Sequence, residues 1–204
     1  MFDNEPDTSL VSQLSQDKPL TKRTDKMSKI NLVTPAGTIN WAYISGEGKR
    51  DLNGNAIYTV DLVLPPEEAA PLIEKLDELW EENKPKGAKA PKSMGYKEKD
   101  GDIVFTFKTK TVYPSGDPKE IAVYNAKAQK VQLSDRIGNG SKGCVSGMAS
   151  VYDAGVAARG VTLYLDAIQL LKLVKYEGGA SFAQQEGDFE GTEETDGFVA
   201  VDLD

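Results

Sequence analysis

Histidine is absent from all 204 residues and cysteine occurs once, at Cys144, which removes Ser-His-Asp and Cys-His catalysis, imidazole metal ligation and any internal disulfide. The formal charge of -8 is unevenly placed: residues 177–204 hold nine Asp or Glu and no Lys or Arg, whereas residues 27–176 hold 20 Lys or Arg against 18 Asp or Glu. The acidic pI of about 4.8 therefore describes the C-terminal segment and not the body of the chain, which is slightly basic.

Residues 1–29 are polar, carry mixed charge and show no sustained apolar period, which predicts a flexible arm, with order beginning near Ile30. No secretory pattern and no apolar run of about 20 residues is found, so a cytosolic protein is expected. Thr38–Ile44 is rich in strand formers, and strict alternation would put Ile39, Trp41 and Tyr43 on one face. The turn-rich stretch 46–55 leads into a second strand, Ile57–Leu64, and the two make a hairpin.

Pro65-Pro66 ends that strand, since proline lacks a ladder N–H and its fixed φ suits a helix start. Ala69, Leu72, Ile73, Leu76, Leu79 and Trp80 then fall at helical spacing, with Pro71 expected in the first turn and Glu74, Asp77, Glu78, Glu81 and Glu82 on the wet side. Residues 84–99 reverse the charge, with Lys84, Lys86, Lys89, Lys92, Lys97 and Lys99 against Glu98 alone, and read as a basic loop. A strand follows over 102–112, in which Ile103, Phe105 and Phe107 form the core face and Lys108 and Lys110 lie opposite. Ser115–Pro118 reads as a turn and Ile121–Tyr124 as a short strand, followed by a polar connection and two long strands, at about 144–152 and 161–174. Five or more strands with one inserted helix predict a mainly β domain over 30–176. An OB-fold-like five-stranded Greek-key barrel and a β-sandwich both satisfy the pattern.

Lysines and aromatic rings interleave at Tyr96, Lys97, Lys99, Phe105, Phe107, Lys108, Lys110 and Tyr113. Cations for phosphates and rings for unstacked bases are the means by which single strands are held without sequence preference. The plainer reading makes Phe105 and Phe107 core residues and the lysines a solvated face, and for the two phenylalanines it is preferred. Gly138-Asn139-Gly140-Ser141-Lys142-Gly143 fails the phosphate-loop spacing and reads as a mobile turn, leaving Lys142 as a backbone contact. Arg159 is a further single cation on a loop. No cofactor motif or metal-ligand spacing is found, and carboxylate pairs are not recognisable by spacing, so an enzyme is not expected. Residues 177–204 predict a disordered acidic tail in which Phe189, Phe198, Asp202, Leu203 and Asp204 alternate acid with apolar character, a pattern suited to partner binding.

The order of these features resembles the single-stranded DNA-binding proteins of T-odd tailed bacteriophages and their relatives. The matching stretches are Thr34–Ile44, Tyr58–Pro65, the acidic helix, Asp100-Gly101 before Phe105-Thr106-Phe107-Lys108, Ile137–Lys142 and the acidic tail. The resemblance implies an OB-fold that coats single-stranded DNA in replication, recombination and repair within the cytoplasm of an infected bacterium, and it implies no cofactor. It points to Lys108 and Tyr152 as DNA contacts, with Lys110 nearby, and the reading of the residues themselves adds Tyr113, Lys142, Trp41, Tyr43, Arg159, Lys97 and Lys99 as candidates. Its tail would contact polymerase, helicase-primase or a second subunit of a homodimer, and no membrane. This tail ends Leu203-Asp204 where such tails commonly end in an aromatic residue, and the arm before Met27 has no counterpart. Two other readings compete: an acidic DNA mimic with anti-restriction activity, and an adaptor that acts through its tail.

Overall fold

The computed structural model describes residues 29–176 apart from 89, 156 and 157; the expectations for the N-terminal arm and for the acidic segment 177–204 lie outside the described residues. The strands are β1 (Lys29–Val33), β2 (Gly37–Tyr43), β3 (Lys49–Arg50), β4 (Ala56–Leu64), β5 (Tyr96–Lys99), β6 (Asp102–Lys110), β7 (Ala122–Tyr124), β8 (Lys130–Val131), β9 (Ser141–Asp153) and β10 (Arg159–Lys172). The helix α1 (Pro66–Asn83) lies between β4 and β5. β2, β4, β6, β10 and β9 are hydrogen-bonded in that order and β9 pairs back with β2, which closes a five-stranded barrel. Its pairings are antiparallel except that of β6 with β10. Counted along the chain, the barrel strands run 1-2-3-5-4 around the circumference, the Greek-key course of an OB-fold.

Alternation within each strand builds the interior. On β4, Tyr58, Val60, Leu62 and Leu64 are buried and the intervening residues are half-exposed. Cross-strand register then aligns Val60, Phe107, Leu163 and Ala149 in one inward row across four strands, all buried. Phe105 and Phe107 are fully buried, as the plainer reading of their alternation expects. Two glycines let β9 approach β10: a Cβ at Gly143 or Gly147 would stand 2.2 Å from the carbonyl oxygen of Gln169 or Tyr164 respectively. α1 packs against β6, β9 and β10 by Ala69, Leu72, Leu76, Leu79 and Trp80 and leaves its carboxylates in solvent.

Several local expectations are corrected. Pro66 occupies the first helical position, so Pro71 falls in the second turn, where its ring nitrogen has no hydrogen to give Glu67. Tyr96–Lys99 is not loop but a strand. Asp100 (φ 56°) and Gly101 (φ 86°) form the two-residue connection of a hairpin with β6, the backbone that right-twisted strands favour. β1, unassigned from sequence, pairs with the edge of β9 beside β2. At the break between β1 and β2, Thr34 donates its N–H to Val145 O (3.0 Å) and accepts the Val145 N–H on Oγ1 (2.9 Å).

The glycine-rich turn is pinned rather than mobile. Gly138 N donates to Val174 O (2.7 Å), Ser141 Oγ donates to Gly138 O (2.8 Å) and accepts from Val174 N (3.0 Å), and Gly140 N donates to Asn40 Oδ1 (2.9 Å). Asn139 Oδ1 accepts the backbone N–H of Trp41 (2.8 Å). Trp41 sits there in a left-handed conformation (φ 49°) within a bulge: three steps on β2, from Asn40 to Tyr43, oppose two on β4, from Asp61 to Thr59. The bulge ends strict alternation, so Ile39 is in the core while Trp41 and Tyr43 are exposed.

Two substitutions test this account of the core. Phe107→Ala is expected to cost about 3–5 kcal/mol in urea denaturation by emptying the inward row. Gly147→Ala is expected to cost about 1–3 kcal/mol by pressing β9 off β10. Retention of full stability by either variant would contradict the packing described.

Candidate nucleic-acid interface

The register that builds the inward row also builds an outward one. Tyr43 on β2 lies opposite Thr59 on β4, Thr59 opposite Lys108 on β6, and Lys108 opposite Tyr164 on β10. With adjacent strands about 4.8 Å apart, the row crosses roughly 14 Å of barrel surface. Both tyrosines are 40% exposed. A second outward row runs beside it through Lys49, Ile57 and Lys110. The Lys49 ammonium stands 6.0 Å from the Tyr43 ring centre.

At the Tyr164 end the surface deepens into a cleft of about 650 Å3 between β5, β6, β9 and β10. Lys92, Lys97 and Lys108 and the rings of Tyr96, Tyr152 and Tyr164 line it, with no carboxylate among the described lining residues. Each element contributes for a local reason. β6 continues its core alternation past Phe107 and so turns Lys108 outward, and the hairpin at Asp100-Gly101 brings Lys97 alongside. Gly160, whose Cα lies so close to Ser93 O that a Cβ would be 2.0 Å from it, allows the 92–95 segment to lie against β10 opposite Tyr152. Tyr96 packs on Phe105 with ring centres 5.5 Å apart.

At the Tyr43 end lies a second cleft, of about 810 Å3, bounded by Trp41, Tyr43, Leu133, Arg136 and Tyr176. Its floor includes the buried Ile121 and Ile137. The segment 44–55, which contains β3, carries Asp51, whose carboxyl accepts from Asn55 Nδ2 (3.2 Å), Asn55 N (2.8 Å) and Asn53 N (2.8 Å). The Asn55 side chain, then its backbone N–H and that of Asn53, hold Asp51 below the usual carboxylate range, and the positive charge of Lys108 acts in the same direction.

Of the sequence candidates, Lys108, Tyr152 and Lys97 converge in the first cleft, and Trp41 and Tyr43 in the second. Lys110 is exposed one row away. The others lie apart. Lys99 opposes Asp102 at the far end of its hairpin. Tyr113 lies past β6 with the Lys119 ammonium 5.8 Å from its ring centre. Lys142 Nζ donates to Thr38 Oγ1 (2.6 Å) at the β2–β9 seam. Arg159, its side chain 14% exposed, is paired with Asp153 (3.6 Å) and aims at Gly155 O. Phe189, Phe198, Asp202, Leu203 and Asp204 lie outside the described residues. Tyr164 was not among the candidates, although its signal is present: Val161, Leu163 and Leu165 are the inward set of β10, which leaves Tyr164 outward.

The fold and this face together define a class: a small closed OB-type barrel whose second and third strands, the face by which OB-folds take oligonucleotides, present Thr59, Lys108 and Lys110 between Tyr43 on β2 and Tyr164 on β10. Among solved structures the chain shares this fold with gp2.5, a single-stranded DNA-binding protein encoded by bacteriophage T7, at 23% identity and TM-score 0.57 over 80% of this chain and 100% of that one. The single-stranded DNA-binding protein of bacteriophage Enc34 is similar in its C-terminally truncated form, at 14% identity and TM-score 0.55 over 74% of this chain and 88% of that one. In complex with ssDNA the Enc34 protein gives 14% identity and TM-score 0.52 over 75% and 91%. No protein-family model matches the chain, and no curated protein does. The chain therefore has the fold of phage single-stranded DNA-binding proteins.

Burial pushes the Tyr96 phenol above its ordinary value of 10.0, and the Asp77 carboxylate on α1 adds to the effect. A raised value means that the folded chain favours the neutral phenol. Its contribution to stability is thus complete below pH 10 and is lost as pH rises through the folded value. Urea midpoints measured at about pH 8 and about pH 11 should show a smaller alkaline loss for Tyr96→Phe than for the native chain. Equal losses would remove Tyr96 from this role.

Proposed function

We propose that the chain is a non-enzymatic, sequence-non-specific single-stranded DNA-binding protein. The single observation that carries this reading is the first cleft, where three lysines and three tyrosines share one surface without a carboxylate among the described lining residues. Lys92, Lys97 and Lys108 neutralise phosphates, and Tyr152 and Tyr164 stack on bases. Backbone cations with flat rings read no base edges, so sequence preference is weak. The shared fold with phage proteins of this activity supports the reading. It extends to coating of single strands during phage replication, recombination and repair in the cytoplasm of an infected cell.

In this reading the domain of residues 30–176 binds DNA while residues 177–204 act as a tethered competitor. Nine carboxylates joined to the barrel at Tyr176 raise the local anion concentration over the cationic face until DNA displaces them. Phe189, Phe198, Asp202, Leu203 and Asp204 are then free to engage polymerase or helicase-primase. The DNA-mimic reading is weaker because the acidic residues outside α1 are dispersed singly over strands and turns, and the adaptor reading leaves the first cleft without a use.

Labelled oligo-dT titrated at two salt concentrations tests the proposal by fluorescence anisotropy. Tyr152→Ala and Tyr164→Ala should each weaken binding by about 1–3 kcal/mol. Lys108→Ala should weaken it and reduce the salt slope by about 1, and a chain ending at Tyr176 should bind more tightly than the full one. Salt-insensitive binding, or binding indifferent to all three substitutions, would refute the assignment of this face.

A further inference from the structure

The second cleft presents an arrangement that barrel stability does not explain. Trp41 is 58% exposed, and its backbone is held at φ 49°, a left-handed conformation that is strained for any residue with a Cβ. Asn139 fixes it there through the 2.8 Å hydrogen bond to its N–H. An indole turned to solvent on a strained backbone loses twice over unless something covers it. Tyr43 and Tyr176, 40% and 57% exposed, line the same cleft.

The charges of the cleft identify its ligand. Three carboxylates line it, of which Asp135 is paired with Lys175 (3.1 Å) and Glu120 with Lys130 (3.4 Å), so that Glu47 and Arg136 balance as the remaining lining charges. No ion pair engages Arg136 among the described residues. A near-neutral, ring-lined hollow does not hold a polyanion by itself, but it accepts bases whose phosphates are held elsewhere. Those holders are adjacent: Lys49 lies beside the Tyr43 ring, and Lys108 and Lys110 follow along the two outward rows. Tyr43 belongs to both features, since it lines this cleft and begins the row that ends at Tyr164 in the first.

We propose that the second cleft is a base-stacking subsite for single-stranded DNA, continuous with the first. Trp41, Tyr43 and Tyr176 receive bases there, Arg136 meets a phosphate, and the strand crosses β4 and β6 over Lys49, Lys108 and Lys110. The inference rests on the proposed function, and its test separates the two. The sequence has two tryptophans, and Trp80 is only 3% exposed, so tryptophan emission that responds to DNA reports Trp41.

The full chain at low salt is titrated with oligo-dT of roughly 15 nucleotides, within the span one OB-fold covers. Anisotropy of labelled DNA and intrinsic tryptophan emission are both recorded, for the native protein and for Trp41→Gly. Glycine adopts the left-handed backbone without strain, so this variant should melt at the native temperature or above it while losing only the ring. The expected result is quenching in the native protein, emission insensitive to DNA in Trp41→Gly, and affinity reduced roughly five- to 150-fold. Tight binding by anisotropy with neither quenching nor an effect of Trp41→Gly would overturn the second subsite and leave the first cleft intact, making the exposed rings a protein-docking surface. An anisotropy that never rises for the native chain would overturn both.

Discussion

Parallel pairing of β6 with β10 is the constraint on which the rest of the molecule depends. Two aligned pairs, Leu163 with Phe107 and Tyr164 with Lys108, carry it, and they do opposite things. The first seals the inward row of the core. The second places a tyrosine beside a lysine on the outside. Because successive strand residues face opposite sides, neither can be moved without the other: a one-residue slip of β10 would bury Tyr164 and expose Leu163. The cationic face is therefore as well specified as the core, since the same register sets both. Gly143 and Gly147 serve that register from the other side of β10, by letting β9 come close enough to complete the closure.

Placement of α1 follows from the same logic. Its acidic residues would be a poor neighbour for a phosphate backbone, yet the chain keeps it joined directly to β4, a strand crossed by the outward rows, through Pro65-Pro66. Ala69, Leu72, Leu76, Leu79 and Trp80 hold it against β6, β9 and β10, and its carboxylates do not line the first cleft. Lysines 92 and 97 come after the helix, so the change of charge along residues 74–99 becomes a separation of charge in space.

The elements with a clear apolar period were legible from sequence, among them β4, β6 and the apolar stripe of α1, as was the outward position of Lys108, whereas Val104 on the same face of β6 is buried. Asp100-Gly101 is a plain two-residue hairpin signal between Lys99 and Asp102, and weighing it over the lysine-rich composition would have recovered β5. Trp41 is different in kind. Nothing in Thr38–Ile44 announces a bulge, because its cause, Asn139, lies 98 residues away and acts through one hydrogen bond. The outward row was illegible for the same reason, since alternation tells which face a residue takes but not which residue of another strand stands beside it. Arg159 shows the converse: a cation that looks available in sequence is paired with Asp153 across the β9–β10 turn.

The turn at 138–140 joins two parts of the molecule that sequence keeps far apart. On one side it receives Val174 and, through Arg136 O, the N–H of Tyr176 (3.1 Å); on the other, Asn139 holds the backbone of Trp41. Tension applied to the chain beyond Tyr176 is borne first by these few hydrogen bonds, each with a net worth of about 1 kcal/mol, and not by the interlocked barrel. The last described residues are thus tied one residue from the support of the exposed indole. Releasing residues 174–176 would therefore loosen the support of the Trp41 bulge while the barrel ladders stay closed, which makes the turn a mechanical coupling between those residues and the far end of the cationic face.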